Sequence, residues 1–568
     1  MKTTLLCAIA AIAIAITSPS AAQGPPPRLE LKLAPHPAAT PDEGYIAVEM
    51  RMEAPRLAKG EGLVRLPLTL VGIPSARYDG EALQARDDAG PLPLTQDEEP
   101  PTPQGVYRRW SVGRATRGDV IVTYRATPRH VTAATNNGPL FDLRAEGQAF
   151  LGAGNGFIAT PVAPGPWRIR LEWDHSAEPA GARGVWSMGE GTVETVGPSQ
   201  LLGFSYYASG PLKRYPEADP HFGLFWMSDP PFDPQVLGEG VRKLYEAMSA
   251  FFGEAAGQYR VFMRSNPYVG TGGTGLARSF MFGYHAPSEP TVDDLQGLLS
   301  HEIAHTWPSM EGEHGDTAWY SEGNAEFYSL ALSWRSGAIG LDRVVETMNE
   351  RADAYYSNPY RGLTNPEAAK IFWTDPVAQT VPYGRGWMYL LQTDAAIRAA
   401  TDGAESLDDV VKEMRRRQVA GESYGIADWL RLVGARLGED EAKAMYDHMV
   451  SGGLLIPPEE LYAPCLKVVK RPVRVFELGF ARASLNDERI VRELDPASEA
   501  AKAGLREGDR IAEVKDLNTA RKTQDGTVTL VVEREGGRQT ITFLPRGAAV
   551  EAYGWARDPA TPESACRF

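Results

Sequence analysis

The residues that could do chemistry lie between positions 301 and 326. His301 and His305 flank Glu302 in a His-Glu-x-x-His pattern, on a helix predicted over 291–307. Because residues four apart share a helix face, both imidazoles point the same way and can bind one Zn²⁺. Glu302 can hold a metal-bound water without being a ligand itself. The pattern therefore predicts a catalytic zinc site in which Glu302 acts on water.

A catalytic zinc site needs a third protein ligand, and the next predicted helix, 317–335, offers one. Glu322 and Glu326 are four residues apart there and share a face. We assign Glu322 as the third ligand and expect Glu326 to accept a hydrogen bond from the outer N–H of His301. Both acids could instead be solvated surface residues. His314 is an alternative ligand, although its polar, glycine-flanked loop is typical of a surface histidine.

The chain around these residues changes character twice. From about 28 to 215, short β-type runs such as 45–50 and 167–173 alternate with turn residues, which predicts an antiparallel β-domain. From about 235 the apolar residues recur at helical spacing, and β-type alternation resumes from about 472. Besides the two helices above, the periodicity predicts a strand over 259–263 and helices over 340–356, 384–400, 406–417 and 438–450.

This organisation predicts a multidomain α+β protein. The predicted boundaries are 1–22 for an export signal, 23–219 for the β-rich N-terminal domain, 220–464 for a mostly helical domain and 465–568 for a small β-domain. With 568 residues the chain can bury large cores, and 43% hydrophobic with 23% charged residues excludes global disorder. The net charge of −15 argues against nucleic acid or anionic lipid as the main partner.

The first 22 residues are typical of a secretory signal. A basic start is followed by the apolar run 5–16 and by small residues at 20–22, so cleavage near Gln23 is expected. That run is too short to cross a bilayer, and no other stretch approaches about 18 uninterrupted apolar residues, so we expect no membrane span. We expect an exported protein, periplasmic or secreted.

Two cysteines, Cys465 and Cys566, remain after such a cleavage. An oxidising compartment would favour a disulfide between them. The alternative is a pair of inert buried thiols.

The motifs together resemble a known group of enzymes. Two helix-borne histidines and a later glutamate resemble the gluzincin zinc metallopeptidases. More narrowly, the chain resembles the glycyl-aminopeptidase family, whose members have a β-rich N-terminal domain, a thermolysin-like catalytic domain and a C-terminal PDZ domain. This resemblance implies an aminopeptidase with one zinc ion that acts on peptides or proteins. The short strings that carry it are spread over 138–144, 173–174, 230–233, 305–307, 321–323 and 406–409.

The resemblance also implies residues around the substrate. Tyr383 matches a tyrosine whose hydroxyl donates to the developing oxyanion. Family members carry Gly-Gly-Leu-Glu-His on a strand, and that Glu is expected to bind the substrate's α-amine. Here Ala277 takes the place of the Glu and Arg278 the place of the His, so Gly275, Ala277 and Arg278 are the candidate substrate-binding residues. Because Ala277 replaces the amine-binding Glu, an endopeptidase or a dipeptide-releasing enzyme, with Arg278 contacting an acidic group, stays open.

The C-terminal region resembles a PDZ domain. Leu478, Gly479 and Phe480 match the loop whose backbone N–H groups receive a peptide's carboxylate. C-terminal peptide tails are therefore possible partners, although the polar segment 516–526 predicts a reduced second helix. A rival of another class follows: a PDZ-mediated peptide-binding protein with a degenerate metal site.

Overall fold

The computed structural model of the chain describes residues 25–102, 105–133, 135, 138–254, 257–268, 272–288, 290–372, 375, 377–459, 462–485, 489–563 and 566. These residues fall into two compact units, one ending at Glu302 and the other beginning at Ile303. The predicted export signal, 1–22, lies outside the described residues. The domain boundaries near 220 and 465 stay predictions.

The first unit is built mainly from short strands. In chain order they are β1 (Arg28–His36), β2 (Tyr45–Met52), β3 (Gly62–Leu70), β4 (Ile73–Pro74), β5 (Leu83–Asp87), β6 (Gly90–Pro91), β7 (Leu94–Glu98), β8 (Gly105–Val112), β9 (Val120–Ala126), β10 (Arg144–Glu146), β11 (Ala149–Ala153), β12 (Thr160–Pro161), β13 (Trp167–Trp173), β14 (Arg183–Trp186), β15 (Gly189–Glu190), β16 (Val193–Gly197), β17 (Tyr206–Gly210), β18 (Lys213–Tyr215), β19 (Phe222–Trp226), β20 (Tyr259–Ser265), β21 (Gly272–Leu276) and β22 (Ser279–Tyr284). Its helices are α1 (Gly154–Phe157), α2 (Gln200–Gly203), α3 (Pro234–Phe251) and α4 (Val292–Ala304), and α4 runs on into the second unit. The strands predicted at 45–50, 167–173 and 259–263 are confirmed as β2, β13 and β20.

Three of the four sheets in this unit come from its N-terminal part. Their strand orders are β16-β13-β1-β2-β9-β5-β6, β10-β11-β17-β14-β15 and β12-β3-β8-β7. Alternation on β1 turns Leu29, Leu31 and Leu33 into a core that also holds Trp110 and Trp186. The sheets are antiparallel as predicted, except that β1 pairs with β13 in parallel. Side-chain alternation predicts which face of a strand is buried but not the direction of its neighbour.

The fourth sheet has the order β18-β19-β20-β22-β21. Its central pairs, β19 with β20 and β20 with β22, are parallel, while β21 runs antiparallel to β22. β20 and β22 are buried almost throughout, as central parallel strands usually are. Among the described strands, β21 lies at the edge of this sheet.

The second unit begins with a helical region. Its helices are α5 (His314–Arg335), α6 (Leu341–Tyr356), α7 (Asn365–Ile371), α8 (Val381–Ala400), α9 (Leu407–Ala420), α10 (Ile426–Leu437) and α11 (Glu439–Val450). The helices predicted over 317–335, 340–356, 384–400, 406–417 and 438–450 are confirmed as α5, α6, α8, α9 and α11. Local signals set the ends: Ser406 and Asp409 form a capping box for α9, and Gly421 ends it in the left-handed conformation. None of the helices in the described part of the chain has the length and apolar character needed to cross a membrane.

A small β-rich region follows. It contains β23 (Leu466–Phe476), α12 (Glu499–Lys502), β24 (Arg510–Lys515), α13 (Leu517–Lys522), β25 (Val528–Arg534), β26 (Gly537–Phe543) and β27 (Arg546–Arg557). β23 pairs with β27, and β24, β25 and β26 form a second sheet. α13 is a six-residue helix in the segment where a reduced helix is predicted. Cys465 and Cys566 are joined by a disulfide.

The β23–β27 pair is held against the helical region by polar and aromatic contacts. Arg471 of β23 forms a 2.5 Å ion pair with Asp353 of α6. Asn349 of α6 donates a 2.9 Å hydrogen bond to the carbonyl oxygen of Trp555 on β27. The ring of Trp555 lies 5.7 Å from that of Trp387 on α8. The C-terminal strands therefore support the helix that carries Tyr383 at its start.

Candidate metal centre

Three of the predicted site residues come together as a group that could hold a metal ion. One ligand atom from each of His301, His305 and Glu322 lies within 4.8 Å of the other two. The Nε2 of His305 is 3.4 Å from a carboxylate oxygen of Glu322. α4 ends at Ala304, so His305 lies in the turn after the helix rather than inside it, ahead of Pro308.

The chemistry of this donor set fits Zn²⁺. All three side chains are buried, and Glu322 has no exposed surface. A buried carboxylate costs free energy unless a positive charge lies beside it, and a divalent ion bound by two imidazoles supplies that charge. Two histidines and one glutamate also leave the fourth tetrahedral position open, as catalytic zinc sites require.

His305 has a partner that the sequence reasoning missed. The hydroxyl of Ser321 lies 3.3 Å from Nδ1 of His305. When Nδ1 carries the proton, it donates to this hydroxyl and leaves Nε2, the atom that faces Glu322, free to bind a metal. The signal was present in the string at 321–323, where Ser321 directly precedes the predicted ligand.

Glu302 is buried beside the edge strand β21. A Cβ built on Gly275 of β21 would lie 3.9 Å from Oε2 of Glu302. Because Gly275 has no side chain, the strand passes the carboxylate without covering it. Of the three predicted substrate-binding residues, the structure brings this one to Glu302.

Ala277 and Arg278 lie outside β21, in the turn that leads to β22. Arg278 has a positive φ of 48°, and its guanidinium lies 3.7 Å from the carboxylate of Glu254. Ala277 packs against the core of the N-terminal sheets. The chain itself thus supplies Arg278 with an acidic partner, and its contact with a substrate stays a prediction.

Glu326 is paired with Arg351 of α6, whose guanidinium contacts both its carboxylate and its backbone carbonyl. This pairing accounts for the burial of Glu326. The hydrogen bond predicted between Glu326 and His301 stays a prediction. His314, expected at the surface, is half-buried at the start of α5, with its ring 4.6 Å from that of Phe372.

Tyr383 is the third residue of α8 and is largely buried. α8 crosses α5 at two glycines. A Cβ built on Gly323 would lie 2.6 Å from the carbonyl carbon of Gly386. The two backbones therefore touch one residue after Glu322 and three residues after Tyr383, and this close approach fixes the helix that carries each side chain.

A small cavity of about 20 Å³ lies along the same face of α5. Its lining includes Ala318, which is one helical turn before Glu322, and Pro382, which directly precedes Tyr383. His314 and Phe372 also line it. Burial lowers the pKa of His314, so this imidazole is neutral at pH 7 and the wall is mainly apolar. Sequence periodicity did not reveal this space, because three separate helical segments enclose it.

Comparison with solved structures shows a shared fold. An aminopeptidase N family protein from Idiomarina loihiensis matches 93% of this chain and 98% of its own, with a TM-score of 0.64 and 15% identity. An M1 zinc metallopeptidase from Deinococcus radiodurans matches 76% of this chain and 94% of its own at a TM-score of 0.44 and 19% identity. Yeast LTA4 hydrolase matches 76% and 69% at a TM-score of 0.45 and 14% identity. Neither a family model nor a curated relative matches the sequence. The likeness is thus one of architecture: the chain has the mixed α and β multidomain fold of the Idiomarina protein.

Proposed function

We propose that this protein is a zinc-dependent peptidase that hydrolyses peptide bonds with an activated water. The observation that carries the proposal is the buried group of His301, His305 and Glu322, with its ligand atoms within 4.8 Å. Glu302 supports it, since it is buried beside an edge strand along which a peptide could lie. The fold shared with an aminopeptidase N family protein agrees with this chemistry.

Each residue then has one task. His301, His305 and Glu322 would hold a single zinc ion, which lowers the pKa of a water and polarises the scissile carbonyl. Glu302 accepts the proton of the attacking water and passes it to the leaving amine. Tyr383 donates a hydrogen bond to the carbonyl oxygen as negative charge develops there. Ser321 keeps His305 in the tautomer whose Nε2 is unprotonated.

Two kinds of peptidase activity are proposed. The first is that of an aminopeptidase, and the second is that of an endopeptidase or a dipeptide-releasing enzyme. A specific observation favours the second. The five residues of β21, Gly-Gly-Thr-Gly-Leu, include no acid, so the strand beside Glu302 offers no carboxylate to a free α-amine.

Glu302→Gln tests the proposal. We expect this variant to bind zinc in the wild-type ratio and to lose peptide turnover, since the amide cannot accept the proton. Glu311→Gln is the matched control, because Glu311 is an exposed glutamate nine residues further along. Wild-type turnover by Glu302→Gln would remove Glu302 as the base. Metal binding without turnover by any form of the protein would favour the rival peptide-binding function.

Matched peptides, free and N-acetylated, separate the two kinds of peptidase. Release of single N-terminal residues from the free peptides alone would mean an aminopeptidase. Internal cuts in both sets, read by mass spectrometry, would mean an endopeptidase. Glu302→Gln serves as the blank.

The remaining parts of the proposal concern export and the C-terminal region. We propose that the mature chain begins near Gln23 and is periplasmic or secreted, as its signal-like start and its disulfide suggest. The C-terminal region would bind peptide tails at Leu478, Gly479 and Phe480, where a φ of +78° at Gly479 suits a tight loop. N-terminal sequencing of the exported protein tests the first, and titration with peptides ending in a free or an amidated carboxyl group tests the second.

A further inference from the structure

A cluster of arginines lies in the first unit, on residues that the mechanism does not use. The carboxylate of Asp142 forms a 2.6 Å ion pair with Arg264 of β20 and a 2.5 Å ion pair with Arg144 of β10. Arg129 lies 3.7 Å from the same carboxylate. Arg264 also donates a 2.9 Å hydrogen bond to the backbone carbonyl of Asp142. Three guanidinium groups therefore share one carboxylate.

The positive charge in this cluster exceeds the negative charge. Within the described residues, the three arginines make no ion pair with any acid other than Asp142. The acid on β10, Glu146, accepts hydrogen bonds from Ser228 and Ser265 instead. Uncompensated buried charge is costly, and a bound anion offsets that cost.

The pKa values show how strongly these charges interact. Burial and the neighbouring Arg264 lower the pKa of Arg144, whereas Asp142 raises the pKa of Arg264 although burial alone would lower it. Although burial alone would raise the pKa of Asp142, Arg264 and Arg144 hold it at about 2. Asp142 is thus ionised at every pH where the protein would work, and its single charge is already shared.

A second, independent feature lies beside the arginines. Asn266 is 3% exposed, and neither its amide nitrogen nor its amide oxygen has a hydrogen-bond partner among the described residues. Its amide lies where a Cβ on Gly283 would be, and Gly283 is paired with Arg264 on β20 and with Gly272 on β21. Because Gly283 has no side chain, the Asn266 amide occupies the space over this end of the sheet. The Nε of Arg264 likewise lacks a partner within the described chain.

This cluster lies near the strand that passes Glu302. Gly272, at one end of β21, is three residues from Gly275, and three strand residues span about 10 Å. Residues an odd number apart on a strand face opposite sides, so the arginine side of β21 is the side away from Glu302. A peptide added along the edge of β21 would turn alternate side chains toward the arginines.

Resting on the proposed peptidase function, we propose that Arg144, Arg264 and Asn266 form a subsite for a carboxylate of the substrate, two or three residues from the scissile bond. The guanidinium groups supply the charge, and the Asn266 amide supplies a further donor. Arg129, the most exposed of the three arginines, marks the side from which the carboxylate enters. The carboxylate belongs either to an acidic side chain or to the peptide's C-terminus.

Pairs of peptides test the subsite. The two peptides of a pair differ only in having Glu or Gln at one position, and that position is moved in turn over the three residues on either side of the cleaved bond. Each pair is made with a free and with an amidated C-terminus. We expect a preference of about 10- to 100-fold in kcat/KM for the charged peptide, as charge-assisted hydrogen bonds give. A preference that follows Glu identifies a side chain, and one lost on amidation identifies the terminal carboxylate.

Asn266→Asp and Arg144→Gln should remove that preference, so that the charged and the uncharged peptide of each pair are cleaved with equal kcat/KM. Asn266→Asp keeps the shape of the side chain and places a negative charge among the arginines, so it should not lower the melting temperature. Asn155→Asp is the matched control, because Asn155 is also buried and its amide nitrogen also lacks a partner in the described chain. It should lower the melting temperature and keep the preference.

Equal rates for every Glu and Gln pair, with or without amidation, would overturn the subsite and leave the peptidase standing. A preference that survives both variants would overturn it as well. Dissociation constants of the same peptides with Glu302→Gln give a second readout without turnover. If the wild-type protein cleaves no peptide, the proposed function fails, and these constants still decide whether the carboxylate is bound.

Discussion

The crossing of α5 and α8 makes a sharp prediction, because two glycines bring the backbones of these helices into contact. A Cβ added at Gly323 would lie 2.6 Å from the carbonyl carbon and 2.7 Å from the Cα of Gly386. Ordinary contacts begin at 3.4 Å, so Gly323→Ala would push the helices apart by about 0.8 Å. Gly386→Ala meets the backbone of Trp319 even more closely.

We expect Gly323→Ala to lower the catalytic rate more than it lowers the stability of the fold. Glu322 directly precedes Gly323, and Tyr383 is one turn before Gly386, so separating the helices moves the third ligand away from the proposed oxyanion donor. A misplacement of about 1 Å can lower a rate about 100-fold, and we expect that loss in kcat/KM for Gly323→Ala. Overpacking should lower the free energy of unfolding by about 1–3 kcal/mol, less up to about 1 kcal/mol that alanine returns in a helix.

The assay compares kcat/KM, zinc content and the urea midpoint of Gly323→Ala with those of Gly297→Ala. Gly297 lies on α4, and a Cβ there would meet nothing within 4 Å. Alanine at this exposed position should raise the free energy of unfolding by up to about 1 kcal/mol and leave the rate unchanged. Wild-type kcat/KM in Gly323→Ala, with zinc bound, would refute the idea that this crossing positions the two side chains.

Two further predictions follow from single contacts. Ser321→Ala should weaken zinc binding by about tenfold in a chelator competition, because Nδ1 of His305 loses its hydroxyl partner. Ser321→Thr keeps a hydroxyl and should bind zinc as tightly as wild type. Equal affinities in all three forms would contradict this role of Ser321. Asp142, whose folded pKa of about 2 lies below its usual value of 3.8, stabilises the fold above pH 4 and loses that contribution as the pH falls toward 2. Between pH 5 and pH 2 the free energy of unfolding, measured by urea titration, should therefore fall by about 2 kcal/mol less in Asp142→Asn than in wild type. An equal fall would contradict the pairing with Arg264 and Arg144.

Much of the metal site could be predicted from the sequence because its geometry is local. Helical spacing alone places His301 and His305 on one face of a helix, and the periodicity of the next segment predicts the helix that carries Glu322. The end of α4 differs from the prediction: the predicted helix continues to 307, whereas the observed one ends at Ala304. Four-residue spacing survives that difference, because the turn after α4 still returns His305 to the group.

The residues that sequence reasoning missed depend on contacts between distant segments. Asp142 and Arg264 are 122 residues apart, and no local pattern connects them. Ser321 meets His305 through the packing of α5, which periodicity does not specify. For Arg278 a local motif was misleading. The family motif predicted that Arg278 lies beside the substrate, whereas its positive φ turns it out of the strand and toward Glu254.

The acidic preference first suggested by Arg278 has a better physical basis in Arg144 and Arg264. An exposed guanidinium beside Glu254 is solvated and already paired, so an acidic group gains little by displacing that partner. A guanidinium that is buried and shares its carboxylate with two others gains far more from a new anion, because water has already been removed. A chain with a net charge of −15 nonetheless places this positive excess inside the unit that holds β21. The acidic surface repels an acidic peptide as it approaches, whereas the buried arginine cluster attracts its carboxylate at short range. Salt screens charges at the surface more than buried ones. Raising the salt concentration should therefore increase the association rate of acidic peptides and change their dissociation rate little.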